Sequence, residues 1–576
     1  MRVEETKKQR INKIGAALKM TRYSWEPHWR ELAEHFAPRR TRFTISDKDK
    51  GDKRYGKIIN EHGMLAARTL RSGMFAGITS PARPWRRLTT PDPELAEFGR
   101  VKRWLEHINK NMRTLDRRSN LYSSLPKVFG DIGIFGTAAM AMMDDVEDGM
   151  RCYNFPIGSY WLAVNQREQV DTFWREYSMS VRNLVMEFGD PQASEASKWN
   201  NFTQATKDAF EQGNYERQVT VTHFLYPNFN YDPNRLESKF KKFASCYFES
   251  EGSVVNSSQG NFEAGRNELF LRESGMDRFR VLCPRWEITD GEAYGTACPG
   301  MDALGSTKET QLQEKRKSKA IEKQLNPPLK GPPSMRNTRA SLIAGDLTLV
   351  DEREGRHGLS AIHETNVRVN DVIADIETKE RRISRSFYED LFLMLAQMEG
   401  IQPRNEAEIA ERHEEKLLAL GPVLESVNDD LLDPGTDIEF EIMVKIGFVP
   451  EPPPEVAGKP LKVEYESVLA KAQKLIGVAG TERFFSFAGN LLSAFPNVKD
   501  KINADEAIDE YADMMGVSAK ILYTDEETGE IRQANAAALA KQQAAAAIPD
   551  LAKAAENLSG ADLSTDNALS RVLAGA

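Results

Sequence analysis

Cysteine is scarce in this chain, with four residues in 576. They are Cys152, Cys246, Cys283 and Cys298. A disulfide-stabilised extracellular domain needs more cysteines at closer spacing, so that class is excluded. The sequence also lacks any run of about 18 apolar residues, which excludes a membrane-spanning helix. Its first residues, MRVEETKKQRINK, lack the apolar core of a secretory signal. We therefore expect free thiols in a reducing compartment and no membrane partner.

Positive charge is also in deficit. The chain carries 77 Lys and Arg residues against 86 Asp and Glu residues, a formal net charge of −9. A protein built mainly to grip a nucleic-acid backbone usually has an excess of positive charge, so the balance argues against that class. The length allows several domains.

Recognised catalytic and metal-binding signatures are missing as well. The eight histidines form no HExxH motif and no Cys/His ligand spacing. Residues 51–58, GDKRYGKI, match a phosphate-binding loop except at Ile58, where the motif needs the Ser or Thr that binds magnesium. We therefore expect no catalytic residue, no metal and no cofactor. A nucleotide-using motor subunit, or a nuclease, remains the alternative.

The secondary structure that the residue pattern predicts changes twice along the chain. Helical patterns dominate at first, and short strand-like runs separated by turn residues follow over about 137–290. Beyond residue 300 long helices return. The first, 301–326, is rich in Lys, Gln and Glu, and its apolar face is too sparse for the core of a monomer. The sequence therefore predicts a mixed α+β fold that is mainly helical.

Residues 395–416, LAQMEGIQPRNEAEIAERHEEK, end one long helix and start another. Gly400 and Pro403 stop the first helix. Asn405, followed by Glu408, is typical of an N-cap with its capping-box partner. Taken alone, this short polar interruption predicts an ordinary helix–turn–helix connection on the surface.

The C-terminal part consists of a connector and further helices. Residues 447–460 are rich in proline and predict a stiff connector, with helices expected near 463–493 and 503–516. The end is rich in alanine, and such a helix buries little area unless it is bundled. Half-polar helices of this kind suit neighbouring subunits, so we expect an oligomeric ring or bundle.

Four segments resemble the head-to-tail connecting, or portal, proteins of short-tailed bacteriophages (the podovirus type). They are SGMFAGITSPARPWRRLTT (72–90), VFGDIGIFGTAAM (128–140), PRWEITDGEAYGTACPGMDAL (284–304) and EIAERHEEKLLALGPVLESVNDDLLDP (408–434). The similarity keeps one order from about residue 20 to about residue 520 and leaves out the Ala-rich tail.

The resemblance implies a portal-type fold with a fixed order of parts. These are an α/β wing (1–302), a first stem helix (303–326), a small clip (327–366), a second stem helix (367–396), a channel loop (397–405), a long wing helix (406–440), a helical crown (441–530) and an Ala-rich helical tail (531–576) that could form a barrel.

The resemblance also implies a function. Subunits would form a ring, expected to be a dodecamer, at one capsid vertex, through which double-stranded DNA passes without sequence specificity during packaging and ejection. The implied partners are the terminase large subunit, which supplies ATP hydrolysis, the tail adaptor and tail proteins, and the major capsid and scaffolding proteins. The chain would not be an enzyme. It would lie at the head-tail vertex of the virion, and in the host cytoplasm during assembly.

The family resemblance makes the interruption at 397–405 the channel loop. A sliding duplex needs a low-affinity surface, because each firm phosphate contact is multiplied around the ring. A short loop of polar, apolar and single basic residues supplies such a surface. The loop residues expected nearest the DNA are Gln397, Met398, Gln402, Arg404 and Asn405.

The first stem helix carries an excess of positive charge. Its charged residues are Lys308, Lys315, Arg316, Lys317, Lys319 and Lys323 against Glu309, Glu314 and Glu322. Two interpretations stay open. The basic residues could line the channel, with Lys308, Lys315, Arg316, Lys319 and Lys323 as candidates. They could instead pair with acids of a neighbouring stem, such as Asp371, Asp375 and Glu377.

Overall fold

A computed structural model describes residues 6–44, 51, 54, 56–190, 198–250, 269–325, 329–330, 360–361, 368–397, 420–466, 484, 487–489, 503, 505–508, 523 and 528–540. The chain divides into two compact units, Met1–Ile476 and Gly477–Ala576. The mixed α/β, mainly helical fold predicted from the sequence is confirmed.

Helices precede and follow the sheets of the first unit. They are α1 (Lys7–Tyr23), α2 (Glu26–Phe36), α3 (His62–Ile78), α4 (Pro93–Glu97), α5 (Gly99–Arg118), α6 (Leu121–Phe135), α7 (Val181–Phe188), α8 (Gln204–Glu211), α9 (Pro299–Leu325), α10 (Val369–Ser386), α11 (Glu389–Gln397) and α12, which is described over residues 420–445. Capping residues in the sequence fix the ends of some of these helices. Thr6 caps α1 in a capping box with Gln9, and Gly136 ends α6 with a φ of 75°.

The strands form antiparallel sheets. They are β1 (Arg86–Thr89), β2 (Ala139–Asp145), β3 (Gly149–Phe155), β4 (Tyr160–Val164), β5 (Val170–Ser180), β6 (Gln218–Pro227), β7 (Phe243–Glu249), β8 (Arg272–Met276), β9 (Val281–Leu282), β10 (Leu329–Lys330), β11 (Ser360–Ala361) and β12 (Lys462–Tyr465). The largest sheet has the order β4-β5-β6-β7-β8, and a second has the order β3-β2-β9. The other two sheets are the pairs β1-β12 and β10-β11.

Two of the segments that carry the family resemblance touch each other. A Cβ atom on Gly295 would lie 2.1 Å from the carbonyl oxygen of Gly136. The same carbonyl accepts a hydrogen bond from the backbone N–H of Trp286 at 2.9 Å. The two backbones are therefore in contact, which explains why a glycine stands on each side.

A buried ionic cluster joins three elements of this unit. Arg86 of β1 donates to Asp116 of α5 at 2.9 Å and to Glu439 of α12, and it also donates to Thr436 at 2.6 Å. The Glu439 side chain is 0% exposed. Burial, together with the nearby charge of Asp116, raises the pKa of Glu439 from 4.5 to about 8.

Some boundaries differ from the expected ones. The long wing helix, expected to end at 440, continues to Lys445 and contains a π-helical turn at Asn428–Leu432. Residues 462–465, expected at the start of a crown helix, are β12, in which Lys462 lies opposite Thr89. Such pairings join residues more than 350 positions apart, so local periodicity does not show them.

Parts of the expected clip and tail are described. In the clip, β10 and β11 pair with Leu329 opposite Ala361. The strand pattern at 340–351 lies outside the described residues. In the second unit, residues 528–540 are helical, and Arg532 binds Asp505 through two hydrogen bonds of 2.7 Å.

The raised pKa of Glu439 predicts a specific pH dependence. The folded chain binds a proton on this group more tightly than the unfolded chain does, so its contribution to stability is complete below pH 4.5 and is lost as the pH rises through about 8. Relative to Glu439→Gln, the wild type should lose up to about 1.4 kcal/mol of unfolding free energy per pH unit in this window. Urea unfolding at several pH values measures the difference, with Glu106→Gln as a surface control. Parallel pH profiles of wild type and Glu439→Gln would contradict the prediction.

Candidate nucleic-acid interface

The first half of α9 is built into the core, and its second half is largely exposed. Ala303, Leu304, Thr307 and Thr310 are buried. A Cβ atom on Gly300 would lie 2.4 Å from the carbonyl oxygen of residue 134, so the first turn of α9 lies directly on the end of α6. Most side chains from residue 312 to residue 325 are exposed. Among the residues that the structure describes, the expected first stem helix is thus packed into the core at one end only.

α9 and α10 pair in antiparallel fashion. Lys379 of α10 binds Glu309 of α9 at 3.0 Å, and Gln313 donates to Asp375 at 3.3 Å. Ile376, on the same side of α10, is buried. Polar contacts at intervals of four residues fix the register of the pair. We call α9 and α10 together the stem pair.

A polar joint fastens the stem pair to the N-terminus of α3. The backbone N–H groups of Ile59 and Asn60 donate to Gln311 of α9 at 2.6 and 2.8 Å, and Gln311 donates back to the carbonyl of Asn60 at 2.6 Å. The Asn60 side chain donates to Glu380 of α10 at 2.8 Å, and the Asn60 carboxamide oxygen accepts from the N–H of His62 at 2.8 Å. Sequence reasoning missed this joint, because its contacts with the stem pair join residues that lie 250 or more positions apart.

Two basic residues of α9 are engaged within the subunit. Lys308 binds Glu31 of α2 at 2.5 Å, and this hydrogen bond lowers the pKa of Glu31. Lys317 binds Glu314 of its own helix at 2.6 Å. The remaining basic residues are exposed and form no ion pair with any residue that the structure describes. They are Lys315, Arg316, Lys319 and Lys323.

The acids that could pair with these residues on a neighbouring stem are mostly engaged already. Asp375 binds Lys379, which raises the pKa of that lysine. Glu377 lies 3.7 Å from Arg381. Of the three named acids, Asp371 alone is exposed without an ion pair to a described residue. Fewer acids are therefore left for the neighbour-pairing interpretation than the sequence alone indicated.

The structure adds two basic residues that sequence reasoning did not single out. Arg382 and Arg385, near the end of α10, are exposed and have no ion pair among the described residues. Both lie in the run KERRISRS (379–386), whose positive charge is the sequence signal that could have identified them.

The expected second stem helix, 367–396, is broken between α10 and α11. Phe387 is buried with its ring 5.4 Å from that of Phe36, and Tyr388 has a φ of 53°. Phe392 is buried against α3, where a Cβ atom on Gly73 would lie 2.1 Å from its ring. In a straight helix, positions 387 and 392 point about 140° apart. The break lets both rings enter the core.

The expected channel loop lies almost wholly beyond this point. Gln397 is the last residue of α11. Met398, Gln402, Arg404 and Asn405 lie outside the described residues, as does the start of the helix that follows.

The described residues contain no group of three or more His, Cys, Asp or Glu side chains that could hold a metal ion. All four cysteines are buried, and burial raises the pKa of the Cys246 thiol to about 11. Lys57, in the near-match to a phosphate-binding loop, binds Glu34 at 2.7 Å. No helix in the described ranges is both long and apolar enough to cross a membrane.

The described part of the chain thus holds a helix pair on an α/β core, with exposed basic side chains along it. The chain matches the family model described as bacteriophage head to tail connecting protein over residues 8–522. The chain is 41% identical over 568 residues to the portal protein of Salmonella phage epsilon15, covering 99% of this chain and 98% of that protein. It is 36% identical over 570 residues to the probable portal protein of Bordetella phage BPP-1, again covering 99% and 98%.

The chain therefore belongs to the family of bacteriophage head-to-tail connecting proteins. Its role is that of a head-to-tail connector, and it is a virion component with capsid and tail partners. The resemblance recognised in the sequence is confirmed. The family model ends at residue 522, as the resemblance did, whereas the alignments with the two portal proteins cover 99% of the chain and so include most of the Ala-rich tail.

The polar joint predicts a loss of stability in Asn60→Ala. The substitution removes the donor to Glu380 and the acceptor for the His62 N–H, leaving part-buried polar groups unpaired. We expect the unfolding free energy to fall by about 1–3 kcal/mol. Asn214→Ala, at an exposed asparagine, is the matched control and should change it by less than about 0.5 kcal/mol. Equal urea unfolding curves for the two variants would rule out a structural role for the joint.

Proposed function

We propose that the chain assembles as a closed ring, expected to contain twelve copies, with the stem pair lining a central channel for double-stranded DNA. The loop after α11 would project towards the axis. The observation that carries the proposal is the exposed basic row on a helix pair anchored at one end, in a chain of the connector family.

Exposed apolar side chains on the stem pair support assembly. Leu312 is 46% exposed, Leu325 is 75% exposed, and Ile373 on α10 is 39% exposed. These side chains stand among charged ones and leave apolar surface in water in a single subunit. Neighbouring stems in a ring would cover it.

The charge of the stem pair supports passage of DNA. Lys315, Lys319 and Lys323 follow one another at intervals of four residues, which places them on one helix face. Such a row attracts phosphates without reading bases. Flexible lysines at an exposed surface hold each phosphate weakly, and their hold weakens further as salt rises. A weakly attractive wall lets a duplex slide.

The paired strands β10 and β11 support a docking role for the clip. Their register brings Leu329 opposite Ala361, so the two strands bring positions 329 and 361 of the expected clip together. We assign the clip to binding of the terminase large subunit and the tail adaptor. Contacts with the major capsid and scaffolding proteins would lie elsewhere, and assembly would take place in the host cytoplasm.

The alternative, a nucleotide-using motor or nuclease subunit, has little support. Ile58 replaces the magnesium-binding residue of the phosphate loop, and Lys57 binds Glu34. ATP hydrolysis is therefore assigned to a separate terminase, and the connector is not an enzyme.

A triple variant distinguishes the two interpretations of the basic row. It replaces Lys315, Lys319 and Lys323 together by Gln. If the row faces DNA, rings should form with the usual subunit count, and DNA packaging should depend less steeply on salt because fewer phosphates are neutralised. The control removes three scattered exposed charges, Arg10→Gln, Arg167→Gln and Lys242→Gln. Native mass spectrometry and packaging yield at several salt concentrations are the measurements. Loss of rings at low salt in the stem variant alone would assign the row to the neighbouring subunit instead.

Gln402→Lys tests the channel loop. The change adds one positive charge per subunit and so a ring of new phosphate contacts, which should slow packaging and ejection and be partly relieved at high salt. Stability should change by less than about 0.5 kcal/mol, because a loop substitution of this kind leaves the core packing intact. Gln166→Lys, at an exposed wing position, is the control. Unimpaired DNA transit in both variants at every salt concentration would remove the loop from the channel.

A further inference from the structure

A second basic surface lies on α5, away from the stem pair. Arg103, Lys110 and Arg117 are exposed and seven residues apart, which places them within about 40° of one another around the helix. Arg113 is exposed close beside this row, and Glu106 is an acid on the same side. The opposite side of α5 is buried through Leu105, Ile108, Met112 and Leu115. The surface therefore carries four positive charges against one negative charge.

These positive charges form no ion pairs with the residues that the structure describes. Arg103 donates to the carbonyl of Gly99 in its own helix at 3.1 Å. Lys110, Arg113 and Arg117 have no ion pair with any residue in the described part of the chain. Unpaired positive charge at this density is notable in a chain whose net charge is −9.

A cleft of about 350 Å³ runs beside the row. The exposed Arg83 lines it, together with Trp85 and Tyr122. Arg86 and Asp116 also line it and bind each other, so that carboxylate is neutralised. Lys110, Arg113 and Arg117 belong to the same lining. The cleft is thus lined by four exposed basic side chains.

The helix that carries the row is fixed against β1. The side chain of Asn109 on α5 accepts from the N–H of Leu88 at 2.8 Å and donates to the Leu88 carbonyl at 3.0 Å. This double hydrogen bond sets the backbone positions from which the basic side chains of the row extend.

The charge pattern suits a nucleic-acid backbone. Seven residues of helix rise about 10.5 Å, and a DNA duplex carries one negative charge per about 1.7 Å of its axis. A duplex therefore offers phosphates along the whole length of the row. We infer that the α5 row is a second surface for double-stranded DNA, outside the channel, which binds the phosphate backbone without reading sequence.

A second copy of the chain fits this surface less well. The clearest acidic row in the described residues is on α12, and its members are engaged. Asp433 accepts from Tyr465, Asp437 accepts from Arg278, and Glu441 binds Arg280 at 2.7 Å. A DNA backbone supplies unpaired negative charge continuously, so it is the occupant that the charges favour.

Covalently closed circular DNA distinguishes binding to this surface from binding in the channel, because a closed circle cannot thread through a closed ring. The test variant is Lys110→Gln, Arg113→Gln and Arg117→Gln together, none of which lies in the proposed channel. The control is the scattered triple variant at Arg10, Arg167 and Lys242, which removes the same charge. The stem variant at Lys315, Lys319 and Lys323 is a second control. Binding of a circle is measured by gel shift or fluorescence at several salt concentrations, with native mass spectrometry of each protein.

We expect wild type, scattered control and stem variant to bind the circle alike, and the α5 variant to bind it at least tenfold more weakly. The slope of log K against log salt should become shallower by about 0.9 for each phosphate that the variant no longer neutralises. Equal binding of the circle by the α5 variant and the scattered control would overturn the inference. A change of subunit count in the α5 variant alone would also overturn it, because the row would then be a contact between subunits. Loss of circle binding in the stem variant would overturn the channel assignment instead, so the two proposals fail separately.

Discussion

The joint between residues 59–62 and the stem pair is the constraint on which the rest of the arrangement depends. Gln311 of α9 and Glu380 of α10 both bind Asn60, so one asparagine sets the relation of two long helices to α3. Each hydrogen bond contributes modestly, about 1 kcal/mol. Their combined effect is geometric, because helices anchored at one end can place charges reproducibly only if that end is rigid.

The basic residues of α9 are divided along the length of the helix. Near the core, Lys308 is bound to Glu31, and farther out Lys315, Lys319 and Lys323 have no partner among the described residues. The core end of the helix uses its charges for attachment, and the exposed end keeps them available. The same division holds on α5, where the buried side is apolar and the exposed side is basic. An acidic protein can in this way present local positive surfaces although its net charge is −9.

The sequence predicted correctly those elements that neighbouring residues determine. The predicted helix 301–326 is α9, Pro299–Leu325, because its pattern is helical and proline follows it. The family was recognisable because several segments, such as 128–140, resemble it in one consistent order along the chain. The break at Tyr388 and the pairing of β1 with β12 were not predictable, since both depend on contacts with distant parts of the chain. The channel loop stays a prediction, because residues 398–405 lie outside the described part.

The central claim is that the basic row of α9 faces DNA in an assembled ring. All four native cysteines are buried, so a cysteine introduced by Lys319→Cys can carry a photoreactive cross-linker selectively. Irradiation of rings stalled on linear DNA should cross-link position 319 to DNA, and Arg167→Cys on the wing should give no such product. Cross-linking of position 319 to a neighbouring subunit, with none to DNA, would contradict the account.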